Sequence, residues 1–118
     1  MKQKELKVKI KKLRPDAVIP SYAHETDCGM DLTAVSKTFD EYGNVVYGFG
    51  LAFEIPEGYA GFIFPRSSNH KSGLLLTNSV GVIDSDYRGE IKCALINLGS
   101  EDFTVQPGER VAQLVFMP

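Results

Sequence analysis

The sequence is a succession of short apolar runs that alternate with polar residues and are separated by glycine, proline, asparagine and aspartate. Alternation with a period of two is typical of half-buried β-strands, and those four residue types are typical of tight turns. No stretch keeps an apolar stripe at helical spacing for a dozen residues. The pattern predicts strands over residues 5–13, 31–36, 45–55, 59–65, 74–78, 80–84, 90–98, 102–106 and 110–117. It allows one short helical turn, around Asn69–Gly73.

Many short strands at regular spacing favour an all-β sandwich, barrel or jelly roll. The 118 residues are enough for one domain, and 43% hydrophobic residues supply a core without disulfide staples. We find no linker, internal repeat or low-complexity segment, so the sequence predicts a single domain over residues 1–118. No apolar run approaches the roughly 20 residues that span a bilayer, and the N-terminus lacks the apolar core of a signal peptide. We therefore expect no membrane contact and a cytoplasmic location.

The first fourteen residues carry seven basic side chains against one acidic side chain, whereas the whole chain has a net charge of −2. Such a segment could contact nucleic acid. Its lysines, however, alternate with Leu6, Val8 and Ile10, and no aromatic residue stands among them to stack on a base. The pattern favours the solvent face of an edge strand, where lysine discourages pairing with another chain. We expect no direct nucleic-acid partner.

The chain has few side chains that bind transition metals. Cys28 and Cys93 lie far apart, with no partner at the spacing of a zinc site, and the only histidines are His24 and His70. The sequence therefore predicts neither a disulfide framework nor a zinc centre.

Three segments carry more polar chemistry than a plain β-domain requires. In residues 26–34, Asp31 opens a strand just after a glycine turn. In residues 64–69, a strand ends in Arg66 and two serines, donors that suit phosphate oxygens. Residues 77–89 are predicted to form an apolar hairpin interrupted by Asn, Asp and Tyr. Aspartate is disfavoured in strands, and such local violations tend to occur at functional sites.

Four motifs in this order resemble those of the trimeric dUTP pyrophosphatase (dUTPase) family, over about residues 8–118. The first is Cys28-Gly29-Met30-Asp31-Leu32-Thr33-Ala34, with Cys28 where the family usually has alanine. The second is Pro65-Arg66-Ser67-Ser68. The third runs from Gly81 to Gly89, with Asn78 six residues before Asp84. The fourth runs from Gly108 to Phe116.

The resemblance implies an all-β distorted jelly roll (β-clip) that forms a homotrimer with active sites shared between subunits. It implies hydrolysis of dUTP to dUMP and pyrophosphate, which limits uracil incorporation into DNA and supplies dUMP for thymidylate synthesis. It also implies a Mg²⁺ ion on the triphosphate. Mg²⁺ keeps several waters and needs few protein carboxylates, which agrees with the scarcity of other metal ligands.

The resemblance also implies a role for each matching position. Asp84 would activate the attacking water and touch the sugar 3′-hydroxyl, and Asp31 would hold a metal-bound water. Tyr87 would pack under the deoxyribose and exclude a 2′-hydroxyl. Uracil would be read by Asn78 and by the backbone of Gly81, Val82 and Ile83. The phosphate contacts would come from Arg66, Ser67, Ser68 and Gln113.

Other functions are compatible with parts of the same pattern. A dCTP deaminase shares the Arg-Ser-Ser corner, but Ala94 occupies the position where its catalytic glutamate would stand, and alanine cannot transfer a proton. A dUTP-binding or interaction module of the same fold would not turn over its ligand, yet it would not need Asp84 beside the α-phosphorus. A capsid-type jelly roll would leave Asn78, Asp84, Tyr87 and Gln113 unexplained.

The fifth motif of the family, a C-terminal glycine-rich segment that covers the substrate, has no counterpart up to Pro118. Either the sequence is cut to an ordered core or the protein lacks this lid. In the second case we expect slow turnover with nucleotide binding partly retained, because such arms close over bound ligand.

Overall fold

The computed structural model describes residues 5–66, 73–97 and 105–118, which contain ten β-strands and no α-helix. The strands are β1 Lys9–Lys12, β2 Met30–Thr33, β3 Ser36–Phe39, β4 Val45–Gly48, β5 Leu51–Glu54, β6 Ala60–Pro65, β7 Leu74–Leu76, β8 Gly81–Ile83, β9 Lys92–Asn97 and β10 Arg110–Met117. All pairings are antiparallel.

The strands form two four-stranded sheets and one two-stranded ribbon. The sheet orders are β2-β10-β6-β8 and β3-β4-β9-β7, and the ribbon pairs β1 with β5. Inward side chains from all three form one buried cluster, whose largest fully buried members include Tyr47, Phe49 and Phe53. The alternation of β2 places Met30 and Leu32 in this core and turns Asp31 outward. The hydrophobic alternation therefore also decides which polar side chains reach the outer face.

A bulge in β10 changes which of its side chains face outward. Gln113 lies opposite Asp31 and Ala112 opposite Leu32, but the pairing then shifts and Arg110 lies opposite Thr33. In a regular strand, two residues three positions apart point to opposite faces. The extra residue restores Arg110 to the face of Gln113, so both lie beside Asp31.

Most predicted strands are confirmed, and the exceptions have local causes. The predicted strand 45–55 is wrong as one element, because the chain bends at Phe49 and Gly50 between β4 and β5. Gly50 has φ +66°, a conformation that glycine adopts without steric strain. Strand β3 was not predicted, since its sequence Ser-Lys-Thr-Phe is mostly polar.

Two further predictions fall wholly or partly outside the described residues. Of the predicted strand 102–106, only Val105 and Gln106 are described, and neither is in a strand. Of the predicted helical turn at Asn69–Gly73, only Gly73 is described, and it lies in a turn.

The N-terminal lysines lie where the sequence predicted them. β1 pairs only with β5 among the described residues, and Lys9, Lys11 and Lys12 are exposed. Ile10 is half-buried and packs against the core. The segment is therefore an edge strand with a charged solvent face, as expected.

The predicted hairpin within residues 77–89 is wrong, because these residues contain one strand only, β8. β7 pairs with β9 in one sheet, whereas β8 pairs with β6 in the other. The chain crosses between the sheets at Ser79, the one non-glycine residue with positive φ (63°) among those described. Both strands need burial on one face, and each finds a longer strand of a different sheet to pair with.

The described residues contain no helix with the length and apolar character needed to cross a membrane.

Candidate functional site

The chain forms a cleft of about 390 Å³ between β8, at the edge of one sheet, and the start of β9, in the other sheet. We call it the Asp84 cleft. Its lining consists of Ile63, Asn78, Gly81, Val82, Ile83, Asp84, Tyr87, Glu90, Ile91 and Lys92. It therefore brings together six of the predicted site residues, all from the third motif and the asparagine that precedes it.

Local backbone bonds shape the floor of the cleft. The Ser79 N–H donates to the Leu76 carbonyl over 3.2 Å, and the Val80 N–H donates to the Asn78 carbonyl over 2.6 Å. These bonds close a tight turn that delivers Asn78 to the mouth of the cleft, next to β8. The side-chain Nδ2 of Asn78 lies 3.7 Å from where a Cβ on Gly81 would stand. The amide of Asn78 and the backbone of Gly81 are therefore neighbours.

β8 offers its backbone to the cleft because it is the last strand of its sheet. In the part of the chain that the structure describes, β8 pairs only with β6. An edge strand presents N–H and C=O groups on its open side. Those groups have fixed positions, which suits recognition of a planar ligand by its hydrogen-bonding edge.

Asp84 stands at the end of β8, where the chain turns. The Tyr87 N–H donates to the Asp84 carbonyl over 3.1 Å, which closes a four-residue turn. The Asp84 side chain is exposed and borders the cleft. It also borders a second groove, whose lining includes Lys7, Lys9 and Arg88. A carboxylate held at a turn beside a cleft is free to bind a water molecule.

Arg88 ties this turn together from outside the cleft. Its Nη1 donates to the Ser85 carbonyl over 2.6 Å and to the Tyr87 carbonyl over 3.2 Å. The Tyr87 hydroxyl donates to the Glu90 carbonyl over 2.9 Å. Tyr87 is 45% exposed, so it is not an ordinary core residue.

Three further predicted residues, Asp31, Arg66 and Gln113, lie on the outer face of the β2-β10-β6-β8 sheet. We call them, together with the neighbouring Arg110, the Asp31 cluster. The Asp31 carboxylate accepts from Arg66 Nε at Oδ1 and from Arg110 Nη1 at Oδ2, each over 3.1 Å. Arg66 and Asp31 are 25% and 33% exposed, whereas Arg110 is 60% exposed. The cluster therefore presents two oriented guanidinium groups at the surface.

Gln113 is also held in place. Its Nε2 donates to the Pro65 carbonyl over 2.9 Å, next to Arg66. Its Oε1 lies 2.6 Å from where a Cβ on Gly29 would stand, so the glycine of the first motif leaves space for this amide. A shallow depression beside it is lined by Cys28, Asp31 and Gln113, among others. First, second and fourth motifs thus meet at one surface, although Ser67 and Ser68 of the second motif lie outside the described residues.

The Asp84 cleft and the Asp31 cluster do not meet within one chain. β2 and β8 are three strand spacings apart, roughly 14 Å. Along the strands, Asp31 aligns through Gln113 with Phe64, whereas Ile83 aligns with Gly61 and Asp84 follows it. That offset of four residues adds roughly 13 Å, so the two backbone positions are roughly 19 Å apart.

The donor chemistry limits how a metal ion could bind. The described residues contain no group of three or more His, Cys, Asp or Glu that could hold a metal. Both oxygens of Asp31 already accept from guanidinium groups, although each retains a lone pair for a water molecule. The residues therefore fit a Mg²⁺ ion held by ligand phosphates and water, rather than one held by the protein directly.

Two residues of this region were not singled out as site residues from the sequence. Arg110 lies within the fourth motif, but its place beside Asp31 depends on the bulge in β10. Glu90 lines the Asp84 cleft, and its Oε2 accepts from the Gly50 N–H over 3.0 Å. The unpredicted bend at Gly50 creates that partner, so alternation alone carried no signal for it.

Comparison with protein families and known proteins places the motifs in context. A family model described as dUTPase matches residues 16–118. The chain is 44% identical over 116 residues to the deoxyuridine 5′-triphosphate nucleotidohydrolase of Hydrogenobaculum sp. (strain Y04AAS1), covering 96% of this chain and 81% of the relative. It is 48% identical over 120 residues to the protein of that name from Desulfitobacterium hafniense (strain DSM 10664 / DCB-2), covering 96% and 80%.

Solved structures show the same fold. A mutant dUTPase of Staphylococcus bacteriophage 80alpha, solved with dUpNHpp, superposes with a TM-score of 0.81 at 26% identity, covering 95% of this chain and 82% of that one. A mutant dUTPase from phage phi11 of S. aureus, described for the coordination of a structural Mg(II) ion, superposes with a TM-score of 0.81 at 23% identity, covering 95% and 90%. These likenesses confirm the predicted all-β, dUTPase-like fold.

Proposed function

This chain belongs to the dUTPase family, and from that premise we propose that it hydrolyses dUTP to dUMP and pyrophosphate. The observation that carries the proposal at the level of the site is the Asp84 cleft. It gathers Asn78, the open edge of β8 and Tyr87 around one carboxylate.

Selection of uracil follows from the fixed backbone of β8. The base would pair with N–H and C=O groups of Gly81, Val82 and Ile83 and with the Asn78 amide. Cytosine presents a different donor and acceptor pattern and would leave buried groups unpaired, which costs about 1–3 kcal/mol for each group. We propose that thymine is excluded because its methyl group would meet the backbone of the turn between Asn78 and Gly81.

Hydrolysis needs a base beside the α-phosphorus. Asp84 would accept a proton from a water molecule while the water oxygen bonds to the α-phosphorus and the bond to the bridging oxygen breaks, releasing pyrophosphate. Tyr87 would support the deoxyribose and exclude a 2′-hydroxyl. Mg²⁺ bound to the triphosphate would offset charge on the leaving pyrophosphate. Asp31 would accept a hydrogen bond from a water of that ion.

Phosphate binding would fall to Arg66, Ser67, Ser68 and Gln113, and we propose that a neighbouring subunit supplies them. Asp84 must reach the α-phosphorus through a single water, whereas Arg66 and Gln113 must touch phosphate oxygens. The same register places the backbone of Asp84 roughly 16 Å from that of Gln113 and roughly 20 Å from that of Arg66 within one chain, which is too far for one nucleotide to satisfy both. A homotrimer with shared sites, each half contributed by a different protomer, meets the requirement.

The remaining proposals concern the chain as a whole. Since the buried side chains of the described residues form one cluster, we propose one dUTPase-like domain over residues 1–118. We also propose a cytoplasmic location. We propose that the protein has no direct nucleic-acid partner, because the N-terminal lysines occupy an edge strand.

The test is pyrophosphate release from dUTP, UTP, dTTP and dCTP with Mg²⁺. We expect release from dUTP alone, and a fall of about a thousandfold in Asp84→Asn with binding of dUpNHpp retained. Asp86→Asn is a matched control, because Asp86 is an exposed carboxylate of the same turn that does not line the Asp84 cleft. Equal turnover of dTTP would contradict the account of base selection. Binding of dUpNHpp without any turnover of dUTP would indicate a binding module instead.

A further inference from the structure

The phenol of Tyr87 lies directly against the Cα of Gly89. A Cβ at Gly89 would stand 2.6 Å from the Tyr87 hydroxyl oxygen and 2.8 Å from Cζ, closer than real contacts allow. Gly89 is not among the glycines with positive φ, so its backbone conformation is open to other residues. The glycine is therefore required for space under the ring and not for the path of the chain.

The hydrogen-bond partner of the phenol is itself anchored. The Tyr87 hydroxyl donates to the Glu90 carbonyl over 2.9 Å. The Glu90 carboxylate accepts from the Gly50 N–H over 3.0 Å and has Lys92 Nζ at 3.8 Å. Its side chain is only 27% exposed. The Glu90 side chain thus links the residue whose carbonyl accepts the phenol hydrogen bond to the bend between β4 and β5.

We propose that Gly89 and Glu90 are positioning residues that set the place of the Tyr87 ring and thereby the preference for deoxyribose over ribose. The inference rests on the proposed function, in which Tyr87 excludes a 2′-hydroxyl. Exclusion of a single hydroxyl depends on ring position to within a fraction of an ångström. Neither Gly89 nor the Glu90 carboxylate needs to touch the nucleotide to control that position.

Gly89→Ala tests the first part. The atoms that the new methyl group meets are the far end of the Tyr87 side chain, so the ring should move while the backbone stays. We expect a melting temperature close to that of the wild type. The ratio of kcat/KM for dUTP over UTP should fall about tenfold, mainly through a lower KM for UTP.

A double variant makes that test specific to the ring. In a Tyr87→Ala background, the added Gly89→Ala should change the ratio by less than twofold, because no ring is left to displace. An unchanged ratio in Gly89→Ala alone, or an equal loss in both backgrounds, would overturn the proposal.

Glu90 is tested by a pair of variants. Glu90→Ala removes the acceptor for the Gly50 N–H and should lower the dUTP/UTP ratio several-fold. Glu90→Gln keeps an acceptor oxygen of the same reach and should restore the wild-type ratio. Glu41→Ala, an exposed glutamate in a turn away from the cleft, is the matched control and should leave the ratio unchanged. Equal ratios in Glu90→Ala and the wild type would overturn the role of Glu90.

The same variants are compared by calorimetric binding of dUpNHpp and its ribose counterpart, which needs no turnover. If the wild type prefers dUpNHpp but does not hydrolyse dUTP, the proposed function fails while the binding ratios still decide this inference. If the wild type binds both analogues equally, the inference itself fails.

Discussion

Apart from Ile63, every residue that lines the Asp84 cleft comes from the fifteen residues between Asn78 and Lys92. The Asp31 cluster, in contrast, takes its side chains from β2, from the residue that follows β6, and from β10 on either side of its bulge. One half of the site is built from neighbouring residues and short backbone bonds. The other half is built from ion pairs between strands that are distant in the sequence.

This difference predicts how each half responds to change. The cleft presents backbone groups in fixed positions and depends on local turns, so single side-chain changes should affect recognition more than folding. The Asp31 cluster depends on register, because its arginines meet one carboxylate only when β10 is correctly paired with β2. Changes there should affect substrate binding and stability together.

The largest expected effect is the recovery of activity when two inactive variants, each damaged in a different half of the site, assemble into one trimer. Asp84→Asn and Arg66→Ala should each be nearly inactive. Trimers refolded from an equal mixture should regain up to about a quarter of wild-type pyrophosphate release, since one site in four pairs an intact Asp84 with an intact Arg66 from its neighbour.

Two variants of the same half provide the control for that experiment. A mixture of Asp84→Asn with Asn78→Ala should recover nothing, because no protomer then carries an intact cleft. Recovery in this control, or its absence in the first mixture, would contradict a site divided between subunits.

The next prediction concerns a difference in reactivity between the thiols of the two cysteines. Cys28 is exposed at the depression beside Asp31, whereas burial in β9 raises the pKa of the Cys93 thiol from 9.0 to about 12. The thiolate fraction of Cys93 near neutral pH is therefore about a thousandfold lower than that of an ordinary thiol. In the native protein one thiol should react with a disulfide reagent, and in denaturant both should react.

Pyrophosphate with Mg²⁺ provides a sharper form of this measurement. If it binds at the Asp31 cluster, it should slow the reaction of Cys28 several-fold, whereas deoxyuridine alone should not. Equal protection by deoxyuridine alone would contradict phosphate binding at the Asp31 cluster.

A smaller effect is expected at Asp31. Asp31→Asn would turn an amide NH₂ toward one of the two guanidinium groups, so kcat/KM for dUTP should fall about tenfold and the free energy of unfolding by about 1 kcal/mol. Asp16→Asn is a matched control, because Asp16 pairs with Arg14 over 3.0 Å at the exposed surface. It should change the free energy of unfolding by less than about 0.5 kcal/mol. Equal stability losses in both variants would contradict a special role for the cluster.

The smallest effect lies outside both halves, in the turn between β3 and β4. Hydrogen bonds from the Asn44 side chain, and then from the backbone N–H groups of Asn44 and Tyr42, lower the pKa of Asp40 below its ordinary value of 3.8. A lowered folded pKa stabilises the fold above about pH 4, and this contribution is lost as the pH falls through the folded value. The melting-temperature difference between wild type and Asp40→Asn should therefore shrink below about pH 4. A difference independent of pH would contradict this.

The local half of the site was largely predictable from the sequence. Asn78, Asp84 and Tyr87 were predicted from the resemblance of the third motif to the dUTPase family, and the structure places all three in one cleft. The predicted strand 110–117 matches β10 in full, and the turn at Pro107-Gly108 marks its start. The error in this region was the hairpin predicted within residues 77–89, which contain only β8, paired with β6.

The sequence by itself determined the all-β character, the strand that carries Asp31 and the residues that surround Asp84, since these follow from alternation and from neighbours along the chain. Only the tertiary structure decided that Arg110 joins Arg66 on Asp31, and that Gly50 offers its N–H to Glu90. The first contact depends on the bulge in β10, and the second depends on the bend at Gly50. One extra residue in a strand reverses which face each side chain occupies, and alternation along the sequence does not record that reversal.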